Sequence, residues 1–395
     1  MAQALKDSFG PETVEWVGQR LASAVPEFDE SVFVAECLRG FDGLELMDRA
    51  RRISDVMARH LPEDPVVAVP MVMVSLGPAE PGLTGMQPFR YMPFVVFVGQ
   101  HGLAAFEESM AAQYELTQRF TAEFSIRPFL INEPERTLAR LRVWTADPSE
   151  HVRRLVSEGT RPRLPWAPRL PAFIADPAPV LELLEVLRDD PSEYVRRSVA
   201  NNLNDISKDH PELVISVVRR WWADASAERQ RLIRHALRTL VKRGDPAALE
   251  LLGHAGADHL AVADVTIDPV EVSVGGTVRI LATVADTRPV PGALEPSASG
   301  QGPDESQVES GEEVAVDFVV HFVKANGSSA PKVFKGGRRG LGPGEQVQFT
   351  RSVSVAQMST RTHYPGVHRV EVQVNGRRFD GGQFVVLPIP APSAQ

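Results

Sequence analysis

At 395 residues, 43% hydrophobic and 24% charged, the chain suits two or three soluble domains, each able to bury its own core. The single cysteine, Cys37, excludes an internal disulfide and a cysteine metal site; with no HExxH pair, phosphate loop or dinucleotide fingerprint, no metal or cofactor is expected. The net charge of −9 argues against a uniformly basic nucleic-acid binder, yet residues 151–243 hold 17 Lys+Arg against 12 Asp+Glu, so this segment is +5 and the remainder −14.

The chain opens MAQALKDSFGPETVEW, without a charged-then-apolar leader, and no run of about 18 apolar residues follows. A cytoplasmic protein with no membrane contact is expected. Residues 11–61 read as capped helices with Pro breaks, Val66 to Val74 as a strand or a buried helix, the helix favoured because its neighbours are helical, and Leu103 to Phe124 as a helical pair. Asp147-Pro-Ser-Glu-His-Val-Arg-Arg154 and Asp190-Pro-Ser-Glu-Tyr-Val-Arg-Arg197 then align without gaps, 43 residues apart. That is the period of two-helix HEAT-type units, each opening on a Pro and an acidic first turn. A weaker third copy starts near Ala227. The fold class expected is multidomain: an all-α HEAT-like-repeat solenoid over 1–258, then an all-β immunoglobulin-like sandwich over 262–390.

The second domain is read from short alternating runs: Val278/Ile280/Ala282/Val284, Phe318/Val320/Phe322, Val353/Val355 and Val370/Val372/Val374, the last before an Asn375-Gly376 hairpin signal. It lacks the cysteine pair and tryptophan usual in immunoglobulin domains. Residues 287–312, rich in Pro, Gly, Ser and acid, are expected to be a disordered insertion.

Within the repeats, Val195, Val199, Leu203 and Ile206 form an apolar stripe, while Arg197, Asn201 and Asp205 share a polar face. One repeat earlier, Arg154 and Glu158 are again four apart. Stacked repeats present corresponding helices to one concave surface, so Glu158 and Asp205 should enter one groove. Glu123, expected in the last turn of a helix stopped by Pro128, would join them. A carboxylate in a last helical turn is locally unfavourable. Ordinary solvated Glu–Arg pairs are the other reading.

Trp166, between Pro165 and Pro168, is either a packed loop anchor or a flat surface for a base or cation. Trp221 and Trp222 read as core. Arg231, Arg234, His235, Arg238 and Lys242 share one face of the last helix of this region, a solvated face or a track for phosphates. The stretch Lys335 to Gly344 reads as a basic hairpin loop, with a nucleic-acid contact as the second reading.

Four motifs in order, Thr121-Ala-Glu-Phe-Ser-Ile-Arg-Pro-Phe129, Val152 to Trp166, Val195 to Pro211 and His235 to Pro246, resemble the AlkC branch of the AlkC/AlkD HEAT-like-repeat DNA glycosylases. Some of those proteins carry a C-terminal immunoglobulin-like domain. The resemblance implies an enzyme that excises cationic alkylated bases, 3-methyladenine and 3-methylcytosine, from double-stranded DNA without a deep base-flipping pocket; a monomer that needs no cofactor is expected. It places Glu123, Glu158 and Asp205 in the catalytic acidic cluster and Trp166 against the lesion. Arg154, Arg161, Arg163, Arg196, Arg197, Asn201, Lys208, Arg234 and Arg238 are then expected on DNA, with Lys335, Arg338 and Arg339 from the sandwich. The competing expectation is a non-enzymatic scaffold using the same groove.

Overall fold

A computed structural model describes residues 9–80, 82–252, 259–290, 312–357 and 362–388. The chain divides into two compact units, Met1–Ala236 and Leu237–Gln395. The division falls earlier than the change in composition near residue 260, because two short helices group with the strands. Of the insertion expected at 287–312, residues 291–311 lie outside the described residues.

The first unit is helical: α1 (Pro11–Ala22), α2 (Glu30–Leu38), α3 (Leu46–His60), α4 (Pro65–Ser75), α5 (Met92–His101), α6 (Phe106–Arg119), α7 (Ile126–Asn132), α8 (Pro134–Trp144), α9 (Glu150–Gly159), α10 (Pro171–Ala175), α11 (Ala178–Leu187), α12 (Glu193–Ile206), α13 (Pro211–Trp222) and α14 (Ala227–Ala236). The valine-rich stretch is helical as expected but only half of it is covered: Ala68, Val69 and Val72 are buried, while Val66, Val67 and Val74 are exposed. Asp64 caps α4 by accepting from the Val66 amide at 2.9 Å, with Pro65 at the first helical position. Cys37 is fully buried, and burial pushes its thiol up to about 12. Residues 103–124 give one long helix, α6, not a pair.

The 43-residue repeat has a shared hydrogen-bond signature. Asp147 and Asp190 accept from the amides of Ser149 and Ser192 at 2.8 and 2.9 Å, so each Asp-Pro-Ser start is a closed turn. Six residues on, Arg153 and Arg196 donate back to the carbonyls of residues 147 and 148, and of 190 and 191. Arg153 also grips Asp190 with two bonds, tying one repeat to the next. Val152, Leu155 and Val156 of α9 and Val195, Val199, Leu203 and Ile206 of α12 are buried. A polar seam fixes their register: the hydroxyls of Ser157 and Ser198 lie 2.7 Å apart, and Asn202 donates to the Ser157 carbonyl and the Thr160 hydroxyl.

In the second unit, α15 (Arg238–Arg243) and α16 (Pro246–Leu251) precede eight strands: β1 (Leu260–Asp268), β2 (Glu271–Ser273), β3 (Thr277–Asp286), β4 (Glu312–Val323), β5 (Ser329–Leu341), β6 (Gln346–Ser354), β7 (Gly366–Val374) and β8 (Arg377–Leu387). They form a two-sheet sandwich, β1-β3-β6 over β2-β8-β7-β4-β5. The alternating valines and phenylalanines named above fill its core. Asn375 (φ 42°) and Gly376 (φ 86°) make the tight β7–β8 turn. A Cβ on Gly376 would lie 2.2 Å from Leu249 and 2.8 Å from the Gly244 carbonyl, so this turn seats α15 and α16 against the strands. The basic stretch from Lys335 belongs to the body of β5, paired with β4, and is not a hairpin loop.

His368 offers a test of this core. It is fully buried, accepts at Nδ1 from the Val323 amide (3.2 Å) and places Nε2 3.2 Å from the Tyr364 carbonyl, the set a neutral ring satisfies. Burial holds its pKa below the usual histidine value. The unfolded ring takes a proton near pH ~6.5 and the folded ring only lower, so this unit loses stability as pH falls below that value. Histidine NMR titration checks this: the His368 midpoint should lie below that of an unfolded control, and a midpoint above it is inconsistent with the buried, neutral ring.

Candidate active site

Glu158 occupies the last turn of α9, where no cation on the helix's own last turn balances it. The balance comes from elsewhere. Arg161, three residues on, donates Nη1 to Glu158 Oε1 at 2.6 Å and Nε to Asp205 Oδ2 at 2.8 Å. Asp205, near the end of α12, receives Lys208 Nζ on its other oxygen at 2.7 Å. In the opposite direction Arg154 Nη1 meets Glu123 Oε2 at 2.6 Å, and its Nη2 lies 3.6 Å from Glu158 Oε1. The Ser198 hydroxyl donates to Glu158 Oε2 at 2.6 Å.

The result is one ladder, Glu123–Arg154–Glu158–Arg161–Asp205–Lys208, in which anions and cations alternate. Asp205 is 1% exposed and Glu158 6%, depths at which an unpaired carboxylate would be strongly unfavourable. Burial works against the charge on Arg154, but Glu123 and Glu158 more than offset it and hold its pKa above the usual arginine value. Arg161 is raised in the same way, by Glu158 and Asp205 against burial.

A cleft of about 390 Å³ opens beside the ladder, lined by Glu123, Arg154, Glu158, Arg161, Trp166 and Tyr194 among others. Asp205 is not in its wall: it sits one ion pair behind, reached through Arg161. The expectation that both repeat carboxylates line one groove is thus met by Glu158 alone of the two. Glu123 lies in the turn before α7, with Pro128 inside that helix. This reverses the expected position at a helix end; near a helix N-terminus a carboxylate is favourable.

Trp166 is 60% exposed and has φ 61°, a left-handed conformation that costs a bulky residue on the order of 1–3 kcal/mol. Such an anchor is not packed. Trp221, in contrast, is buried with its Nε1 donating to Glu185 at 2.7 Å, as a core residue should. Trp222 lies under the Arg234 guanidinium, 5.3 Å from the ring centroid.

The other basic candidates separate by what already holds them. Arg163 forks Asp209 at 2.9 and 2.7 Å, and Arg196 is built into its repeat start through backbone carbonyls. Arg197 is exposed beside Glu193 at 2.8 Å, and Asn201 Oδ1 lies 3.0 Å from His235 Nε2. Lys208 is exposed apart from its Asp205 contact, and Arg234 also reaches Gln230. Arg238 is exposed on α15, after a break at Leu237, so the single cationic stripe expected from Arg231 to Lys242 is divided between two helices and two units. Lys335, Arg338 and Arg339 are exposed on β5, with Arg338 3.2 Å from Glu313.

Two site residues escaped the sequence reading. Tyr194, 41% exposed, lines the cleft and lies under Arg154 at 5.3 Å. Its signal was present: it is where the two repeat octets differ, His151 against Tyr194, and those rings meet edge-on at 5.8 Å. Arg127, 1% exposed, reaches the carbonyls of Gly159, Arg161 and Pro168. Among the described residues no group of His, Cys, Asp or Glu is placed to hold a metal ion, and no helix is long and apolar enough to cross a membrane.

A family model described as DNA alkylation repair enzyme matches residues 120–240, the segment holding the whole ladder and Trp166. A second, described as the C-terminal Ig-like domain of uncharacterised protein YhaZ, matches residues 261–388. The structure of Pseudomonas fluorescens alkylpurine DNA glycosylase AlkC, bound to DNA containing an abasic site analog, is 34% identical with a TM-score of 0.83, covering 98% of this chain and 100% of that one. The chain belongs to the AlkC family of DNA alkylation repair enzymes. The chain is also similar to the uncharacterized protein YhaZ of Bacillus subtilis, 36% identical over 383 residues, 97% of this chain and 99% of that protein. Both the helical repeats and the Ig-like sandwich expected from sequence therefore belong to the AlkC architecture.

Proposed function

We propose that this AlkC-family chain is a DNA glycosylase that hydrolyses the N-glycosidic bond of cationic alkylated bases, 3-methyladenine and 3-methylcytosine, in double-stranded DNA. The observation that carries this reading is the ladder itself: three carboxylates, from the turn before α7, from α9 and from α12, joined through two arginines beside an exposed, strained tryptophan. A methylated cationic base leaves as a neutral molecule, so little general acid is needed. Fixed negative charge near the sugar as it gains oxocarbenium character, and an oriented water, remain to be supplied.

Glu158 and Glu123 supply that charge from the cleft wall. Asp205 acts through Arg161, or directly when a DNA phosphate draws Lys208 from its oxygen. Arg154 and Arg161 screen the carboxylates from the phosphates. Trp166 presents its face to the cationic base. Arg197, Asn201, Lys208, Arg234 and Arg238 lie on phosphates, with Arg163 and Arg196 acting chiefly by holding the helical frame. The protein acts as a cytoplasmic monomer without a cofactor.

The test is direct. Purified protein incubated with N-methylated duplex should liberate free methylated bases separable by chromatography; tight binding without release would favour a non-enzymatic scaffold. For the sandwich we propose a DNA contact through Lys335, Arg338 and Arg339. Lys335→Ala with Arg339→Ala should weaken binding to any duplex and flatten the log–log salt dependence by about one for each phosphate no longer neutralised. Unchanged affinity and slope would remove β5 from the DNA interface.

A further inference from the structure

We infer that Arg127 is the positioning residue for Trp166, and through it for the lesion base; the inference rests on the glycosylase reading above. Arg127 projects from the first turn of α7 and donates Nη1 to the carbonyls of Gly159 (3.0 Å) and Arg161 (2.8 Å), and Nε to that of Pro168 (2.9 Å). Nη2 donates to Pro168 as well. These carbonyls stand at the two ends of the segment 159–168, and Trp166 lies between them. One fork therefore closes the loop that carries the exposed indole.

The loop needs such a closure. A left-handed, solvent-facing Trp166 persists only where its surroundings over-determine it, and at 60% exposure its own packing does not. Internal bonds are few: the Leu170 amide to the Pro162 carbonyl at 3.1 Å and Ala167 to Leu164 at 3.4 Å. Gly159 opens the approach, since a Cβ there would lie 2.5 Å from Ile126 of the same helix that carries Arg127. The guanidinium is buried against neutral carbonyls, and burial with the nearby Arg161 lowers its pKa to about 10, so it stays charged at neutral pH. Lysine, a point donor without a planar fork, cannot hold both ends.

The experiment is a double-mutant cycle on single-turnover release of 3-methyladenine. Arg127→Lys should slow release by on the order of 10²-fold, the scale of a misplaced catalytic contact, with duplex affinity little changed. In a Trp166→Ala background the same substitution should slow release less than about threefold, because the loop no longer carries its cargo. An equal loss in both backgrounds would overturn the inference. Pro168→Gly, which slackens the loop while keeping its carbonyl, should repeat the pattern if Arg127→Lys fails to fold. Hydrogen exchange separates this inference from the functional reading. Arg127→Lys should speed exchange of amides in 161–170 and leave α12 unchanged even if no base is released by any variant; uniform or absent acceleration would contradict the positioning role.

Discussion

Asp205→Asn should leave duplex affinity intact and slow release of 3-methyladenine by on the order of 10²- to 10³-fold, the scale seen when one preorganised electrostatic group is removed. The substitution keeps the shape and one acceptor for Arg161 but removes a negative charge from the ladder. The site becomes more positive by one unit, so attraction for phosphate does not fall; what falls is stabilisation of a cationic sugar. Fluorescence anisotropy with labelled duplex and single-turnover base release would measure the two properties separately. Activity near wild type would show that Asp205 serves only to hold Lys208 and Arg161.

Arg161→Met should destabilise the helical unit by about 3–5 kcal/mol, the range for removing one partner of a buried ion pair. Arg161 is the rung shared by Glu158 Oε1 and Asp205 Oδ2, and its loss leaves two buried carboxylates facing a methionine. Relief should follow neutralisation, so Arg161→Met with Asp205→Asn should recover part of the loss. Denaturant titration checks both: a change under about 1 kcal/mol in the single variant would mean that solvent already screens the pair.

The sequence made the frame of this site legible and left its depth hidden. A period of 43 residues and the stripe from Val195 to Ile206 were enough to stack α9 against α12 and to bring Glu158 and Asp205 near each other. Helical periodicity reports a direction around one helix, not how much of a neighbouring chain covers that direction. Asp205 therefore shared a polar face with exposed Arg197 in the sequence, yet lies 1% exposed beneath Arg161. Arg127 was out of reach for a related reason. Its partners are backbone carbonyls more than thirty residues away, and carbonyls carry no residue-type signal.

The strands show the same division. Alternation in β3, β4 and β7 identified the sandwich because one face of each is buried, and Asn375-Gly376 marked its turn. β5 misled because Lys335 to Gly340 lacks that alternation: it is exposed almost throughout and holds its place by pairing with β4. Glu123 misled because Pro128 resembles a helix stop, whereas three residues into α7 it is compatible with a helix start.

The measurement that most directly tests the arrangement of carboxylates is the affinity of the protein for two duplexes differing only at one abasic position. One carries a pyrrolidine sugar analogue, cationic at neutral pH, and the other a neutral tetrahydrofuran. If Glu123, Glu158 and Asp205 are set to stabilise an electron-poor sugar, the cationic duplex should bind at least about tenfold more tightly, as analogues of a transition state do. Glu158→Gln should erase most of that preference while leaving affinity for the neutral duplex unchanged. Equal affinities in the wild-type protein would contradict the account.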